Sequence, residues 1–358
     1  MLSFLKTICF SFVLCLCLPA QAQLFQWLKT ENDSNYISDH TRDLTVRLYG
    51  SRKYTNYRLS DRAAGHAVVY KPNDNFNLGI GFNYRVIGIN LGFNFPFINN
   101  DNERFGRTRY LDLQSHVYLR KLTVDFWAQF YHGYYLSNPT TVLEGWVPQR
   151  IYPQRPDMRT SDIGINVQYI FNDRRFSFRS AFLQNEYQKK SAGSFMAGGS
   201  IYGVYVRADS SVVPAGLKAN DFYNNEHFNN TNIYSVSIDG GYAHTLVLKK
   251  HFFLTLSLMG GIGANYTTLE HTGAGTSDDK WGLQLNTTVR CAAGYNSERY
   301  FAGIHFVDMI TRSNAPVPGA YQEFGAGNFR VSFAKRFRVK RSVARKVEQK
   351  VDEVLPVK

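Results

Sequence analysis

The sequence predicts an all-β protein, an antiparallel transmembrane β-barrel of about 12–14 strands with 14 favoured. Three observations predict this fold: strands in which large apolar residues alternate with small polar ones, connections that alternate between tight and long, and an export signal. Bacterial outer-membrane barrels combine apolar-out, polar-in strands with short periplasmic turns and longer outer loops. The expected location is therefore the cell outer membrane.

The clearest strands form a hairpin at residues 76–95. A period of two places every large apolar side chain of a strand on one face. The opposite face of both arms carries only glycine and asparagine, which suits a crowded polar interior better than the wet face of a globular sheet. The apolar residues are Phe76, Leu78, Ile80, Phe82 and Tyr84 in the first arm, and Ile87, Ile89, Leu91, Phe93 and Phe95 in the second.

The N-terminus carries a secretory signal, which is predicted to cover residues 1–22. Lys6 precedes an apolar run at 8–18, and residues 20–22 read Ala-Gln-Ala, which matches a cleavage site. The apolar run is too short to span a bilayer as a helix. Residues 23–42 are then expected to form a polar, periplasmic N-terminal segment.

Cysteine usage agrees with export. Cys291 is the only cysteine beyond the predicted signal, so no intramolecular disulfide is expected in the mature chain. Cys15 and Cys17 raise a lipoprotein alternative, which the large Leu14 and Leu16 before them disfavour. A closed barrel would stabilise such a chain through its complete hydrogen-bond ladder.

The barrel is predicted to cover residues 43–338. Tight connections and long outer loops alternate along it, but the alternation slips by one strand between residues 176 and 248. Either 187–230 hides a strand, or one apparent strand belongs to an outer loop. Besides the hairpin, the predicted strands lie at 43–60, 67–71, 110–119, 122–131, 163–169, 176–182, 195–206, 233–248, 252–266, 281–295, 300–309 and 327–337. The predicted outer loops lie at about 96–107, 136–160, 186–194, 207–231, 267–280 and 312–322.

The formal charge is +13, from 41 Lys and Arg against 28 Asp and Glu. Part of this excess lies in residues 339–358, which are predicted to form a basic periplasmic tail. Val343, Val347, Val351 and Val354 recur at helical spacing, so the tail is expected to be a weak helix, with a solvated coil as the alternative. Basic chains often bind nucleic acid, but export argues against that class of partner.

Several stretches give the chain a family resemblance. They read Arg-Leu-Tyr-Gly-Ser-Arg-Lys-Tyr-Thr at 47–55, Tyr-Lys-Pro-Asn at 70–73, Tyr-Leu-Asp-Leu-Gln-Ser-His at 110–116 and Lys-Lys-Ser-Ala-Gly-Ser at 189–194, together with the 76–95 hairpin. The chain resembles an exported Gram-negative outer-membrane barrel family, domain of unknown function 4421 (DUF4421), over nearly its whole mature length. The resemblance implies an outer-membrane barrel and adds no catalytic residue.

Ionisable residues that are predicted to face the interior form the first candidate site. Charges inside a small barrel normally pair and accept or donate hydrogen bonds, so we expect a polar network that fills a narrow lumen. Asp112 and His116 lie on one strand face about 13 Å apart, whereas Asp125 on the next strand can reach one of them. This acid–histidine pair leaves open a catalytic alternative, although no serine is placed beside it. The predicted network comprises Arg47, Asp112, His116, Asp125, Arg179, Asp239, Arg290 and Arg330.

A second candidate site is a basic stretch that is predicted to lie in an outer loop. Lys189, Lys190, Ser191 and Ser194 could hold an anionic group such as a lipid phosphate, with an exposed turn as the alternative. The loop at 136–160 is expected either to fold into the lumen or to contact lipopolysaccharide. The sequence contains no recognisable metal-binding motif, and no metal, cofactor or catalytic residue is predicted.

The predicted role is a narrow, porin-like pore, or a structural or binding barrel. The alternatives are a lipid-modifying enzyme and an accessory subunit of an envelope complex, while a soluble lipid-binding sandwich is the alternative fold. A pore needs an open lumen, an enzyme needs a serine–histidine contact at the outer rim, and an accessory barrel needs a partner for its tail. The expected partners are outer-membrane lipid, lipopolysaccharide and the barrel-assembly machinery. Nucleic acid is not expected, and the barrel is expected to be a monomer.

Overall fold

The structure is a computed structural model that describes residues 31–84, 87–95, 97–99, 101–219, 221–273 and 275–339. The predicted signal and residues 340–358 of the predicted tail lie outside this range. The short helices are α1 (Asn102–Phe105), α2 (Pro139–Val142) and α3 (Phe178–Phe182), and a 3₁₀ turn covers Phe222–Asn225. In the described part of the chain, no helix is long and apolar enough to cross a membrane.

The strands are β1 (Ile37–Asp39), β2 (Leu44–Asp61), β3 (His66–Lys71), β4 (Phe76–Tyr84), β5 (Ile87–Asn94), β6 (Arg109–Asp112), β7 (Ser115–Tyr118), β8 (Leu122–Leu136), β9 (Gln154–Ile170), β10 (Glu186–Gln188), β11 (Ala192–Arg207), β12 (Phe228–Leu248), β13 (Phe252–His271), β14 (Ser277–Asn296), β15 (Tyr300–Asn314) and β16 (Ala320–Phe337).

Ten antiparallel strands close into a barrel in the order β2, β16, β15, β14, β13, β12, β11, β9, β8 and β3, which returns to β2. Four further strands, β4 to β7, attach beside this ring and bring the sheet to 14 strands. The predicted all-β barrel is therefore confirmed. The sheet has the favoured 14 strands, but only ten of them close the ring, fewer than the 12–14 predicted for the barrel. The reason lies in β2, which pairs with β4 along residues 45–52 and with β3 along 57–61.

The outer face of the ring is apolar and the inner face is polar, as the alternation predicts. On β13, Leu254, Leu256 and Leu258 are 40–60% exposed, whereas the inward Thr255 and Ser257 are at most 3% exposed. Lipid can cover the outward side chains, while inward hydroxyls need hydrogen-bond partners inside the barrel.

The two ends of the barrel differ, and we call them the turn end and the loop end. The turn end carries the tight connections at 119–121, 249–251 and 297–299. The loop end carries long connections at 137–153 and 208–227, and shorter ones at 62–65, 272–276 and 315–319. The outer loops that were predicted at 267–280 and 312–322 are shorter in the structure because the flanking strands extend further.

An apolar cluster fills the lumen at the loop end. The two long loops fold inward and place Val142, Val212 and Phe222 against Tyr57 and Tyr70 of the barrel wall. The Tyr70 hydroxyl donates a hydrogen bond to the backbone oxygen of Val212 at 2.8 Å, which ties the longer loop to the wall. We call this cluster the loop-end plug. The loop at 136–160 was expected either to fold into the lumen or to contact lipopolysaccharide, and its Val142 lies in the lumen. The apolar character of the plug and the contribution of the loop at 208–227 were not predicted.

A second insertion fills the lumen at the turn end. Residues 176–182 were predicted to form a spanning strand, but they form the approach to α3 and α3 itself, which lies inside the barrel with Phe176, Phe178 and Phe182 buried. The Ser177 hydroxyl caps this helix by accepting from the Ser180 amide at 3.1 Å. We call residues 171–191 the turn-end plug. Its return without crossing the membrane explains the slip in strand alternation.

The N-terminal segment closes over this plug. β1 pairs with β10 through the register Ile37↔Gln188 to Asp39↔Glu186, in a two-stranded sheet that is separate from the barrel sheet. The Arg336 guanidinium of β16 donates to the backbone oxygens of Gln184 at 2.7 Å and Glu186 at 3.0 Å. These bonds attach the turn-end plug to the barrel wall.

One place in the wall lacks a backbone ladder. β5 pairs only with β4, while β6 and β7 pair only with β8, so in the described residues no strand bridges β5 to β7. We call this gap the seam. On the loop-end side of the seam, β3 pairs with both β2 and β8 and so closes the ring. Unpaired backbone at membrane depth is tolerated only where it is buried in protein or lines a cavity.

Candidate binding chamber

A cavity of about 260 Å³ lies inside the barrel directly behind the seam. One side is formed by β5, with Gly88 and Asn90, and the other by the edge that runs from Gln114 through β7 to Leu119. The back wall comes from β15 and β16, and the floor from the turn-end plug. We call this cavity the side chamber. Its lining includes Lys53, His116, Arg179, His305, Asn328 and Arg330.

The Gly and Asn face of the hairpin now has a physical reason. A Cβ added at Gly81 would lie 2.5 Å from Asn90 Oδ1 and 2.9 Å from Arg47 Nε. Glycine at this position therefore leaves room for a buried arginine beside a strand that lines the chamber. Arg47 is 1% exposed, and its guanidinium donates to Asn90 Oδ1 at 2.8 Å and to Gln184 Oε1.

His116 and Asp125 meet across neighbouring strands. They are direct register partners of β7 and β8, and His116 Nδ1 lies 2.6 Å from Asp125 Oδ1. The other carboxylate oxygen of Asp125 accepts from Arg290, which is fully buried. Asp125 thus holds a histidine and an arginine together, and the remaining histidine nitrogen, His116 Nε2, has no partner in the described structure.

Asp112 belongs to a separate group of hydrogen-bonded side chains on the loop-end side of the chamber. Its carboxylate lies 3.0 Å from Lys53 Nζ and accepts from Gln129 at 2.9 Å and from the Tyr131 hydroxyl at 2.8 Å. The predicted strand over 110–119 is broken into β6 and β7 at residues 113–114. Asp112 and His116 therefore have different partners, as their spacing implied.

Arg179 was predicted to lie on a strand, but it belongs to α3. Its Nε lies 3.2 Å from Glu186 Oε1, and Arg120 lies 3.1 Å from the same oxygen. Burial raises the pKa of Glu186 in the turn-end plug, although both guanidinium groups oppose that shift. The two arginines share one carboxylate, which holds the floor of the chamber in place.

Arg330 differs from the other basic groups of the chamber, because it has no carboxylate partner among the described residues. Its guanidinium carbon lies 5.0 Å from the centroid of the Tyr49 ring, and its Nε has no hydrogen-bond partner in the described residues. Arg47, one strand away, likewise lacks a carboxylate within the described structure. The chamber therefore has two arginine side chains beside it whose charge no neighbouring acid balances.

Further polar atoms of the chamber are also unpartnered. Both side-chain amide atoms of Gln114 and the Asn328 Oδ1 atom are buried and have no hydrogen-bond partner in the described residues. Buried polar groups in folded proteins are almost always hydrogen-bonded. Their concentration around one cavity is the pattern of a site that receives a polar group.

Asp239 lies in a different polar layer of the interior. It accepts from Asn166 at 3.0 Å and from Ser237 at 2.9 Å, and it has no basic partner within the described part of the chain. This layer lies inside the β9–β12 wall and does not line the side chamber.

The basic stretch at 189–194 lies at the turn end, not in an outer loop as predicted. The reason is that the turn-end plug returns to the end from which it entered, so β11 starts beside the β12–β13 turn. The Ser191 hydroxyl accepts from the Val247 amide at 2.8 Å, and Ser194 accepts from the Asn172 amide at 2.8 Å. Lys190 lies 5.5 Å from the Tyr36 ring, and the Lys189 amide donates to the Tyr36 backbone.

Two clusters at the loop end were missed in the sequence because their members come from separate loops. His271 lies between Glu226 at 3.2 Å from Nδ1 and Asp278 at 3.1 Å from Nε2. Both ring nitrogens thus contact carboxylates, and the three residues place ligand atoms within 4.8 Å of one another. The second cluster is Ser211, whose hydroxyl lies 3.3 Å from His227 Nδ1 and also accepts from the Val213 amide.

The closed ring, the apolar outer face and the polar interior define a β-barrel of the outer-membrane type. The chain belongs to the family described as Domain of unknown function (DUF4421), which matches residues 31–333. No curated protein matches this chain.

Solved structures share the barrel architecture at low identity. The outer membrane protease OmpT from Escherichia coli is 10% identical with a TM-score of 0.36, over 84% of this chain and 98% of that one. The toluene transporter TodX from Pseudomonas putida is 10% identical with a TM-score of 0.25, over 87% and 95%. The translocator domain of the autotransporter NalP from Neisseria meningitidis is 8% identical with a TM-score of 0.29, over 93% and 97%.

Proposed function

We propose that this protein is an outer-membrane barrel that binds a ligand in the side chamber and does not conduct solutes along its axis. The filled lumen is the observation that carries the proposal. The loop-end plug and the turn-end plug occupy the two ends, and hydrogen-bonded side chains such as those of Asp125, Arg290 and Asp239 occupy the middle. This arrangement favours the binding barrel over the pore.

A purely structural barrel would explain the plugs but not the chamber. In the layer around Asp239, hydrogen-bonded side chains fill the lumen, although single atoms such as Asn166 Oδ1 lack a partner in the described residues. The chamber differs because the unpartnered polar atoms of Gln114, His116 and Arg330 belong to residues that line an open cavity of about 260 Å³. Unsatisfied buried polar atoms cost free energy, so a site that retains them is better explained by an occupant.

An enzymatic role has weaker support. His116 is paired with Asp125, but no serine hydroxyl bonds to it in the described structure. The contact between Ser211 and His227 is long, and His227 has no carboxylate to orient its ring among the described residues. Nucleophile activation needs a base that is itself held in place by a third group.

The pore alternative is tested by single-channel conductance of the refolded mature protein in a planar bilayer. We expect no conductance from protein whose folding is verified by heat-modifiable migration on a gel. Discrete, reproducible current steps from the same preparation would show that the lumen opens and would overturn the closed-barrel proposal.

Access to the chamber is tested by cysteine labelling in a Cys291→Ser background. Asn328→Cys places a thiol on the chamber wall, and we expect it to react with N-ethylmaleimide in folded protein. Gln322→Cys is the matched control, because Gln322 lies on the same strand but is 1% exposed and bonded to Tyr57 and Thr231 in the filled part of the lumen. Equal labelling of both positions, or of neither, would contradict a chamber that is selectively accessible.

A further inference from the structure

We propose that the side chamber takes the anionic headgroup of an amphiphile that enters from the lipid phase through the seam, with Arg330 as the group that receives its charge and Arg47, behind Asn90, adding positive charge beside the chamber. The inference rests on the proposed binding function and assigns it a ligand class: a carboxylate or phosphate attached to an acyl chain.

Charge balance around the chamber gives the sign of the ligand. Lys53 is paired with Asp112. Arg179 shares Glu186 with Arg120, and His116 shares Asp125 with Arg290, so these groups have acids beside them but leave no excess of negative charge. Arg330 and Arg47 remain, and neither has an acid within the described part of the protein. Removing one partner from a buried ion pair is strongly destabilising because it leaves an uncompensated charge. A bound anion would supply the missing partner for Arg330, and the charge of Arg47 behind Asn90 would add to the attraction.

Because the unpaired cation is a guanidinium group, the expected ligand is an oxyanion. Guanidinium groups present several donors in a fixed plane and bind carboxylate and phosphate with two parallel hydrogen bonds. Arg330 lines the chamber together with Asn328, and its Nε has no hydrogen-bond partner in the described residues. The guanidinium also lies over the Tyr49 ring, 5.0 Å from its centroid. The arginine is therefore placed beside an aromatic ring and keeps an unpaired N–H donor.

The size of the chamber decides how much of the ligand it can contain. Sites that enclose small molecules usually measure about 300–1,000 Å³. The side chamber measures about 260 Å³, which suits a headgroup and leaves no space for long acyl chains. The remainder of an amphiphile must then stay outside the barrel.

The seam offers a path for that remainder. Its two edges carry outward apolar side chains, with Ile89 and Leu91 on β5 and Leu113 and Val117 along the opposite edge, each 46–53% exposed. An acyl chain lying over these residues would remain in lipid while its headgroup reaches Arg330. The seam adjoins the turn end, so the headgroup would come from the leaflet on the periplasmic side.

The test measures binding of cis-parinaric acid, a fluorescent fatty acid, to the full mature protein in detergent. Wild-type protein is expected to bind it saturably, and Arg330→Gln is expected to weaken binding by about tenfold or more because a charge-assisted hydrogen bond is lost. Arg299→Gln is the matched control, since Arg299 is exposed at the turn end and lies away from the chamber lining. The control should bind as the wild type does.

Competition separates the sources of the anion. Unlabelled fatty acid and phosphatidylglycerol should displace the probe, whereas the methyl ester of the same fatty acid and inorganic phosphate should not. Displacement by inorganic phosphate at concentrations similar to those of the fatty acid would overturn the amphiphile assignment in favour of a free anion. Displacement by the methyl ester would show that the charge is not recognised.

A second variant covers the case in which Arg330→Gln does not fold. Asn90→Asp places a carboxylate beside the Arg47 guanidinium, where the Asn90 oxygen already accepts at 2.8 Å. This internal acid should raise the unfolding temperature of the protein and weaken its binding of cis-parinaric acid. Unchanged binding in this variant would overturn the inference. If the competition assay shows that charge is not recognised, but Asn328→Cys is still labelled selectively, the proposed binding chamber stands. Only the proposed ligand class is then wrong.

Discussion

Asp125 shows at the scale of single residues how the barrel interior is stabilised. It is 1% exposed and bonds to both His116 and Arg290, and Arg290 is itself fully buried. Taking such charges out of water is costly, and the cost is recovered only when each charge keeps its partner. The carboxylate is therefore the central group of this part of the lumen.

We predict that Asp125→Asn lowers the free energy of unfolding by about 3–5 kcal/mol, because Arg290 stays buried without a counter-charge. Asp239→Asn is the matched control, since Asp239 is also buried but accepts only from Asn166 and Ser237. Its loss should be about 1 kcal/mol or less. Urea unfolding of the refolded barrel in detergent measures both values, and equal losses would contradict the assigned role of Asp125.

The sequence predicted which residues face the barrel interior wherever this depends only on the alternation along a strand. Period two placed Arg47, Asp125, Asp239 and Arg290 on inward faces, and the structure buries all four. Partner choice did not follow, because the Asp125–Arg290 contact joins β8 to β14 across the interior. Arg179 was misplaced because its local pattern, Phe-Ser-Phe-Arg-Ser, alternates as a strand does.

At the scale of elements, the glycines of β13 show how closely the strands approach one another. A Cβ added at Gly263 would lie 1.9 Å from the backbone oxygen of Val236 on β12, whereas one added at Gly260 would meet nothing within 4 Å. The same Gly-rich stretch therefore contains one position that depends on glycine and one that tolerates a side chain.

We predict that Gly263→Ala destabilises the barrel by about 1–3 kcal/mol, since strand β12 must shift to accept the methyl group. Gly260→Ala on the same strand should leave stability unchanged or raise it slightly, because Gly260 faces outward and is exposed. Comparing the two variants with wild type in the same unfolding assay checks the prediction. A larger loss at Gly260 than at Gly263 would show that the strand packing is assigned incorrectly.

The elements also show where sequence patterns reach their limit. The hairpin at residues 76–95 and the long strand from Phe252 are found where alternation predicts them. The strand predicted at 176–182 is instead a segment that ends in α3, because its aromatic residues fill the turn end of the lumen next to Tyr118 and Phe301. That cavity is created by distant strands, so a local pattern cannot distinguish its filling from a lipid-facing strand.

At the scale of the whole molecule, backbone ladders run around most of the barrel wall and are missing at one place, the seam, in the described residues. Strands such as β13 have ladders on both sides, while β5 has a ladder on one side only. Strand pairing depends on partners that are far apart in sequence, so the seam could not be predicted although both of its edges were recognised as strands. The chamber behind it was missed for the same reason.

We predict that amide hydrogen exchange in lipid nanodiscs is faster for β5 than for β13, because the outer edge of β5 has no ladder partner in the described residues and opens at lower free-energy cost. β4, which has a ladder on both sides, should be intermediate in protection. Mass-spectrometric detection of peptides that cover Ile87–Asn94 and Phe252–His271 measures the difference. Adding fatty acid should slow exchange in β5 and leave β13 unchanged, since the chamber is bounded by one strand and distant from the other. Equal protection of the two strands without ligand would mean that the β5 edge is covered, and the barrel would then have no route from the lipid to Arg330.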